Sequence, residues 1–406
     1  MKTGPALAVV LLPFALLASC GCLGPQAVRH TRARYNEAVH ATGDEELLLN
    51  FVRLRYGEGV SFLPITAVNA QFEFDTGAQY IGGISEDKAH SLGTGRVGFA
   101  DRPTLSFDPR RSEALTKALL SRLDLETIDL LDAAGWDLGR LLRLVIESIN
   151  GVGNALQAGG PTPATAPEFA EYQQVAGLMQ RLYEQRLTIL GVEQREADVP
   201  ASVPFTSVDG QTLVTIQKSG YGVRSLSEKG YVLTERKAVK GVRIHPEAVP
   251  SPEFAEITRI LHLTPGLSFY EIEMAPGGQV RATATDALQP RLIVSTRSLL
   301  EIMYFMSHAI SVPEEHLTAG LVTVTLNPDG TAFDWGQVTG DLFRILVCKH
   351  RPKQAAVTVQ YRGYWFYIDD ADVASKTTLA LFRELTRLRK VGAAEGQPLL
   401  TLPVGR

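Results

Sequence analysis

Cysteine is scarce in this chain: three in 406 residues, Cys20, Cys22 and Cys348. So few exclude a disulfide framework of the kind that holds small secreted domains together. A basic surplus is missing too, with 40 Lys and Arg against 44 Asp and Glu and a net charge of −4, which argues against nucleic acid as a partner. No apolar run reaches the roughly 20 residues of a spanning helix. The stretch Ala6 to Ala18 has 13, and Leu299 to Val312 is interrupted by Glu301 and His308, so the latter reads as a core helix. Among eight histidines there is no His-Glu-x-x-His pair, and Glu314, Glu315 and His316 after Pro313 read as a helix start, so no metal site is expected. A Gly-x-Ser-x-Gly elbow and a phosphate loop ending in Gly-Lys-Ser/Thr are also missing, and no cofactor is expected.

What is present is ordinary globular composition, 45% hydrophobic and 21% charged, in a chain long enough for two domains of about 150 residues or more. Lys2 precedes the 13-residue apolar run, which ends Leu17-Ala18-Ser19-Cys20. Length and flanks suit a cleaved signal segment. The four residues resemble the lipobox of bacterial lipoproteins, and the resemblance implies cleavage before Cys20, acylation of its sulfur and anchorage to a membrane. Gly21 in place of Asp after the cysteine implies the outer membrane, facing the periplasm. Arg29, Arg32 and Arg34 follow a short tether and read as a solvated helix face.

Helical spacing predicts a block from Arg29 to Tyr56, stopped at Gly43 and restarted by a Thr42–Glu45 capping box, with Leu47, Leu48, Phe51 and Leu54 as the apolar face. Val60 to Phe107 alternates in strand fashion with many glycines and predicts a hairpin or small sheet. Ser112 to Asn150 reads as helical with a break near Gly135, residues 157–167 as a Gly/Pro/Thr/Ala linker, and Glu168 to Leu190 as one helix. Beyond it, strands are expected at Leu213–Gln217, Tyr231–Ile244, Ser268–Glu273, Leu321–Leu326 and Gln354–Ile368. Helices are expected at Glu253–Leu263, Ser295–Ile310 and Asp370–Lys390. The expected fold class is α+β: a signal peptide 1–19, a tether 20–28, a helix-rich domain 29–156 with a small Gly-rich sheet, the linker, and a mixed α/β domain 168–406.

Tyr361-Arg-Gly-Tyr-Trp-Phe-Tyr-Ile-Asp-Asp370, Ser375-Lys376-Thr377, the terminal Thr401 to Arg406 and Leu47 to Tyr56 are similar to an uncharacterised family of bacterial envelope lipoproteins. This resemblance implies a location and no activity.

Three motifs carry chemistry on paper. Gly93-Thr-Gly95-Arg-Val-Gly98 spells a dinucleotide fingerprint, but polar residues precede it and Pro103 follows, so a glycine-rich hairpin is expected. Ser85 with Lys88, Ser148 with Asn150, and Lys218 with Gly220 resemble, in order, the elements of penicillin-binding serine acyltransferases. That resemblance would make Ser85 the nucleophile, Lys88 its activator and Lys218 a carboxylate binder on a strand. Against it, no apolar helix follows Ser85. The aromatic run puts Tyr361, Trp365 and Tyr367 on one strand face and Tyr364, Phe366 and Ile368 on the other. It reads as a central strand, with a ligand or partner surface as the alternative. Asp369, Asp370 and Asp372 read as caps of the last helix, and Cys348 as a buried free thiol. The function expected from all this is non-catalytic: a lipid-anchored structural or accessory protein that binds other envelope proteins. A periplasmic serine acyltransferase, or a binder of peptidoglycan or small ligands, stands as the alternative.

Overall fold

Helix α1, Leu23–Arg55, runs 33 residues without interruption in a computed structural model that describes residues 23–62, 65–69, 72–85, 88–101, 104–107, 111–203, 210–226, 230–275, 287–390 and 400–403. The expected break at Gly43 and the tether over 23–28 are therefore corrected. Thr42 turns its hydroxyl back onto the Ala38 and Val39 carbonyls, at 2.8 and 3.2 Å, and caps nothing. One Gly costs a helix about 1 kcal/mol, which the burial of Leu48, Phe51, Val52 and Leu54 outweighs. The helix does stop where expected: Gly57 adopts φ +73°, and its N–H and that of Glu58 donate to the Leu54 and Arg53 carbonyls, a Schellman motif.

The strand-like region that follows forms β1 (Ile65–Asn69), β2 (Phe72–Ser85), β3 (Lys88–Asp101) and β4 (Thr104–Phe107). β2 and β3 pair antiparallel over 14 residues each and form a sheet of two strands. β4 pairs with β1 on one side and with β15 (Leu400–Pro403) on the other. Three helices come next, α2 (Arg111–Leu120), α3 (Leu125–Ala133) and α4 (Leu138–Val145), the last two capped by Asp124 and Asp137 side chains at 2.8 Å. The expected helix to Asn150 ends early. Ile146–Ile149 is strand β5, joined by β6 (Val152–Gly153).

Helix α5 (Ala170–Glu184) leads into β7 (Thr188–Val203), α6 (Gly210–Lys218), β8 (Tyr221–Leu226), β9 (Gly230–Ile244), α7 (Pro252–Ile260), β10 (Phe269–Met274) and β11 (Arg291–Thr296). These strands build a seven-stranded sheet, β6-β5-β11-β10-β9-β7 with β8 on β9, antiparallel except for β10 with β11. β5 precedes residues 157–167 and β11 follows them, so the expected domain boundary cuts through one sheet. The expected linker is packed in place. Ala158 is fully buried, Ala166 donates to the Leu326 carbonyl at 2.9 Å, and Thr325 donates to the Pro163 carbonyl at 2.7 Å.

The remainder comprises α8 (Leu299–Ser307), α9 (Glu314–Thr318), α10 (Gly336–Thr339), β12 (Leu346–Cys348), β13 (Ala355–Tyr361), β14 (Tyr364–Asp369) and α11 (Val373–Lys390). Two expected strands are absent. Leu213–Gln217 lies within α6 despite its β-branched run, and Leu321–Leu326 forms no strand, its β pairing being isolated bridges at Leu326. Helix α8 starts later than expected, because Ser298 and Glu301 close a reciprocal capping box and Ser295 and Thr296 belong to β11. The class is α+β. One core runs through both halves, with Phe51 of α1 edge-on to Phe343 and to Phe382 of α11 at 5.6 and 5.5 Å. Among the described residues no helix is long and apolar enough to cross a membrane.

Candidate functional site: a cavity floored by Arg55

The structure does not assemble the serine-enzyme elements. Ser85 and Lys88 oppose each other at the closed end of the β2–β3 hairpin, where the chemistry requires a helix that sets the lysine one turn beyond the serine. Ser148 is buried at 3% exposure on β5, opposite Ser295. Asn150 spends its side chain on the backbone, donating to the Leu261 carbonyl and accepting from Ile293 N–H, at 2.8 and 2.6 Å. Lys218 ends helix α6 and is not on a strand. Gly93, Gly95 and Gly98 lie along β3, the hairpin expected in place of a dinucleotide loop. Cys20 lies outside the described residues.

The aromatic strand is central, as expected, in the order β12-β14-β13. Its faces need one correction. Arg362 and Gly363, with φ of +46° and +83°, make a two-residue turn that pairs Tyr361 with Tyr364, so Tyr361 shares the inner face. There its ring lies 5.2 Å from Tyr56 and 6.3 Å from Phe366, and its hydroxyl donates to Glu58, holding that carboxyl below its usual pKa. Tyr56 in turn donates to Nδ1 of His316 at 2.6 Å; burial lowers the His316 pKa, which suits the neutral, accepting ring. These bonds latch the end of α1 to the small sheet. Trp365 and Tyr367 occupy the outer face, half-buried, with the Arg351 guanidinium 5.3 Å above the Trp365 ring. Cys348, expected to be buried, is half-buried on the same outer face, opposite Trp365. Asp372 caps the last helix as expected, accepting from Ser375 N–H at 3.0 Å. Among the described residues no cluster of His, Cys, Asp or Glu could hold a metal ion.

The site with unspent chemistry is one the sequence reading did not single out. Arg55, in the last turn of α1, is 8% exposed. It donates to the Thr162 hydroxyl and the Thr323 carbonyl, at 3.2 and 3.1 Å. Both are neutral, and its Nε has no partner. No ion pair to a described carboxylate offsets this buried charge, a costly arrangement on its own. Burial lowers its pKa, yet a guanidinium stays charged at any physiological pH.

Arg55 lines a cavity of about 380 Å³ with His308, Thr325, Phe333, Trp335 and Arg344. The His308 ring stacks on Trp335 at a centroid distance of 4.1 Å. Its Nε2 meets the Ala158 carbonyl at 3.1 Å, so Nε2 carries the proton and Nδ1 is the acceptor. That Nδ1 is buried without a partner. Burial first, then the nearby Arg55 charge, pushes the His308 pKa down to about 3, so the ring is neutral. Trp335 is anchored by its own N–H, which donates to Thr325 at 3.1 Å. Arg344 stands exposed at the rim, and the one acid on the lining, Asp334, accepts from Gly336 N–H. The cavity thus offers the Arg55 guanidinium, an aromatic wall and a free imidazole acceptor, with Arg344 at the rim already paired to Asp372 at 3.8 Å. Its signal was present in the sequence. Arg55 continues the Leu48–Phe51 stripe at helical spacing, a cation on the core-facing side, and His308 interrupts the mostly apolar stretch Leu299 to Val312.

A larger open cleft of about 1050 Å³ lies between α5 and α7, lined in part by Glu168, Tyr172, Arg259 and His262. Its arginine is already paired with Glu256 at 2.7 Å. No protein-family model matches the chain, and no curated protein or solved structure matches it either.

Proposed function

We propose that this chain is a lipid-anchored, non-catalytic envelope protein of the outer membrane, facing the periplasm, that binds a small anionic ligand in the Arg55 cavity. The address rests on the Leu17-Ala18-Ser19-Cys20 lipobox; the ligand reading rests on one observation, a buried guanidinium with no carboxylate beside it among the described residues. A carboxylate or phosphate oxygen at Arg55 would supply the missing counter-charge. A hydroxyl or amine on the same molecule would give Nδ1 of His308 its donor, and the Trp335 wall suits an apolar portion. Binding other envelope proteins, the accessory role expected from the sequence, remains part of this reading, with the ligand as its regulator or cargo.

Calorimetry with acetate, D-alanyl-D-alanine and inorganic phosphate tests it. At least one should bind saturably, and Arg55→Met should weaken that binding about tenfold or more, the loss of one charge-assisted contact. Binding by none, or equal binding by the variant, removes the proposal. The anchor is tested separately: palmitate should label the wild type and not Cys20→Ala.

A further inference from the structure

Both hydrogen bonds of Arg55 leave from Nη1, so Nη2 has no described partner, and neither has Nε. A carboxylate brings such a guanidinium two oxygens and a negative charge, where a hydroxyl or carbonyl brings one oxygen and none. The one acid on the cavity lining, Asp334, is exposed and bonded to Gly336 N–H. Most of the remaining wall is apolar: Val312, Leu317, Val324, Phe333 and Phe343 stand beside the His308–Trp335 stack. A space of about 380 Å³ lies near the lower end of small-ligand pockets, about 300–1,000 Å³. It takes the end of a chain and not a length of one.

The apolar surface does not stop at the cavity. Residues 321–326 border it through Val324 and Thr325, and Leu321, Val324 and Leu326 are 37, 38 and 43% exposed. Neither Leu321 nor Leu326 lines the cavity, so a small molecule enclosed there leaves both in water. Backbone chemistry is unspent along the same run. Thr323 gives its carbonyl to Arg55 at 3.1 Å, and Leu326 is bridged to Thr165 and Ala332. Val324, between them, belongs to no helix or strand, and its N–H and C=O have no described partner. An exposed donor and acceptor of this kind pair with one more extended chain. Outward from the buried guanidinium the order is therefore Arg55, its partner Thr323, then Val324 at the surface with a free backbone.

We infer that the occupant of the Arg55 cavity is the free C-terminus of a partner protein, with its carboxylate on Arg55, its last, apolar side chain against Trp335 and Phe333, and the residues before it running out past Val324 in extended form. Two recognition devices combine, carboxylate capture and main-chain pairing. Charge selects the end of the partner's chain, because an internal peptide bond brings no counter-charge to a buried guanidinium. The N–H of the last residue is the donor that Nδ1 of His308 lacks, and the exposed Leu321, Val324 and Leu326 favour apolar residues behind it. This inference rests on the anion reading of the cavity and names its occupant. It makes the ligand and the envelope partner one molecule.

Fluorescence anisotropy on the full-length protein in detergent micelles tests this with fluorescein-labelled Gly-Ser-Ala-Val-X peptides, X being Ala, Val, Leu, Ile or Phe, each made with a free carboxylate and with a terminal amide. At least one free acid should bind about tenfold or more tighter than its amide, the loss of one charge-assisted contact. Arg55→Met should erase that preference. Val324→Ser, a change at an exposed side chain, should weaken the peptide about threefold and leave acetate binding unchanged; Val324→Pro, which removes the N–H, should weaken it further. Acetate, N-acetyl-leucine, D-alanyl-D-alanine and inorganic phosphate should each displace the peptide only at concentrations about tenfold or more above those of the unlabelled peptide. Equal binding of acid and amide overturns the inference. So does equal competition by any of the four small anions, in which case the anion reading survives with a free ligand, or for D-alanyl-D-alanine a peptidoglycan stem, as occupant. Binding by no probe removes both readings together.

Discussion

Among the described residues two arginines are buried, and their surroundings differ. Arg297 has no exposed surface. Its guanidinium donates to the carbonyls of Arg143 and Leu144 at 3.0 and 3.1 Å, and to that of Asn154, and stacks 4.1 Å over Phe305. Those first two carbonyls belong to the last turn of α4, whose dipole presents negative charge there. Arg297 is thus a helix cap made from a side chain, although burial still pulls its pKa down to about 10. Arg55 has a hydroxyl, one carbonyl and a cavity. The contrast separates a charge that the fold consumes from one that it leaves available.

The sharpest way to break that contrast is to remove each in turn. Arg297→Met takes the donor from the Leu144 and Asn154 carbonyls, leaves the Arg143 carbonyl only the Asn154 amide at 2.8 Å, and should cost about 3 kcal/mol or more by denaturant unfolding. Next in size is a pH effect at the cavity. His308 titrates near 3 in the folded chain against an ordinary 6.5, so its contribution is complete above pH 6.5 and is lost as pH falls toward 3. The slope is at most about 1.4 kcal/mol per pH unit, and His308→Asn should flatten it in unfolding curves taken across that window. Arg55→Met should shift stability by less than about 1 kcal/mol, or raise it, because an uncompensated buried charge is removed. A loss as large as that of Arg297→Met would erase the distinction. The smallest change is expected at Arg383, bound to both Asp44 oxygens at 3.0 Å and part-exposed. Arg383→Gln should cost under about 1 kcal/mol and leave anion binding unchanged.

The sequence was most informative where local chemistry decides the structure. The cap at Asp372, the Schellman stop at Gly57 and the central aromatic strand follow from residues within a few positions of one another. It misled where distant packing decides. Gly43 looks like a stop until the burial of Leu48 and Phe51 holds α1 together, and Ile146–Ile149 follows a helical stripe until β11 offers it a partner. Residues 157–167 have linker composition, yet the Leu326 region pins them. The cavity was missed for the same reason: Arg55, Thr162, His308 and Thr323 meet from four parts of the chain, and no spacing rule connects them.

Helix α1 also sets a distance. From Leu23 to Glu46 it spans 24 residues before the deeply buried stretch begins, and residues 32–46 are exposed or half-exposed along it. At 1.5 Å per residue this is a rod of about 36 Å. With acyl chains on Cys20, three residues upstream, the body would be held off the leaflet by a stiff strut instead of a slack string. Anything in the Arg55 cavity at the strut's inner end would then sit at a set height above the headgroups.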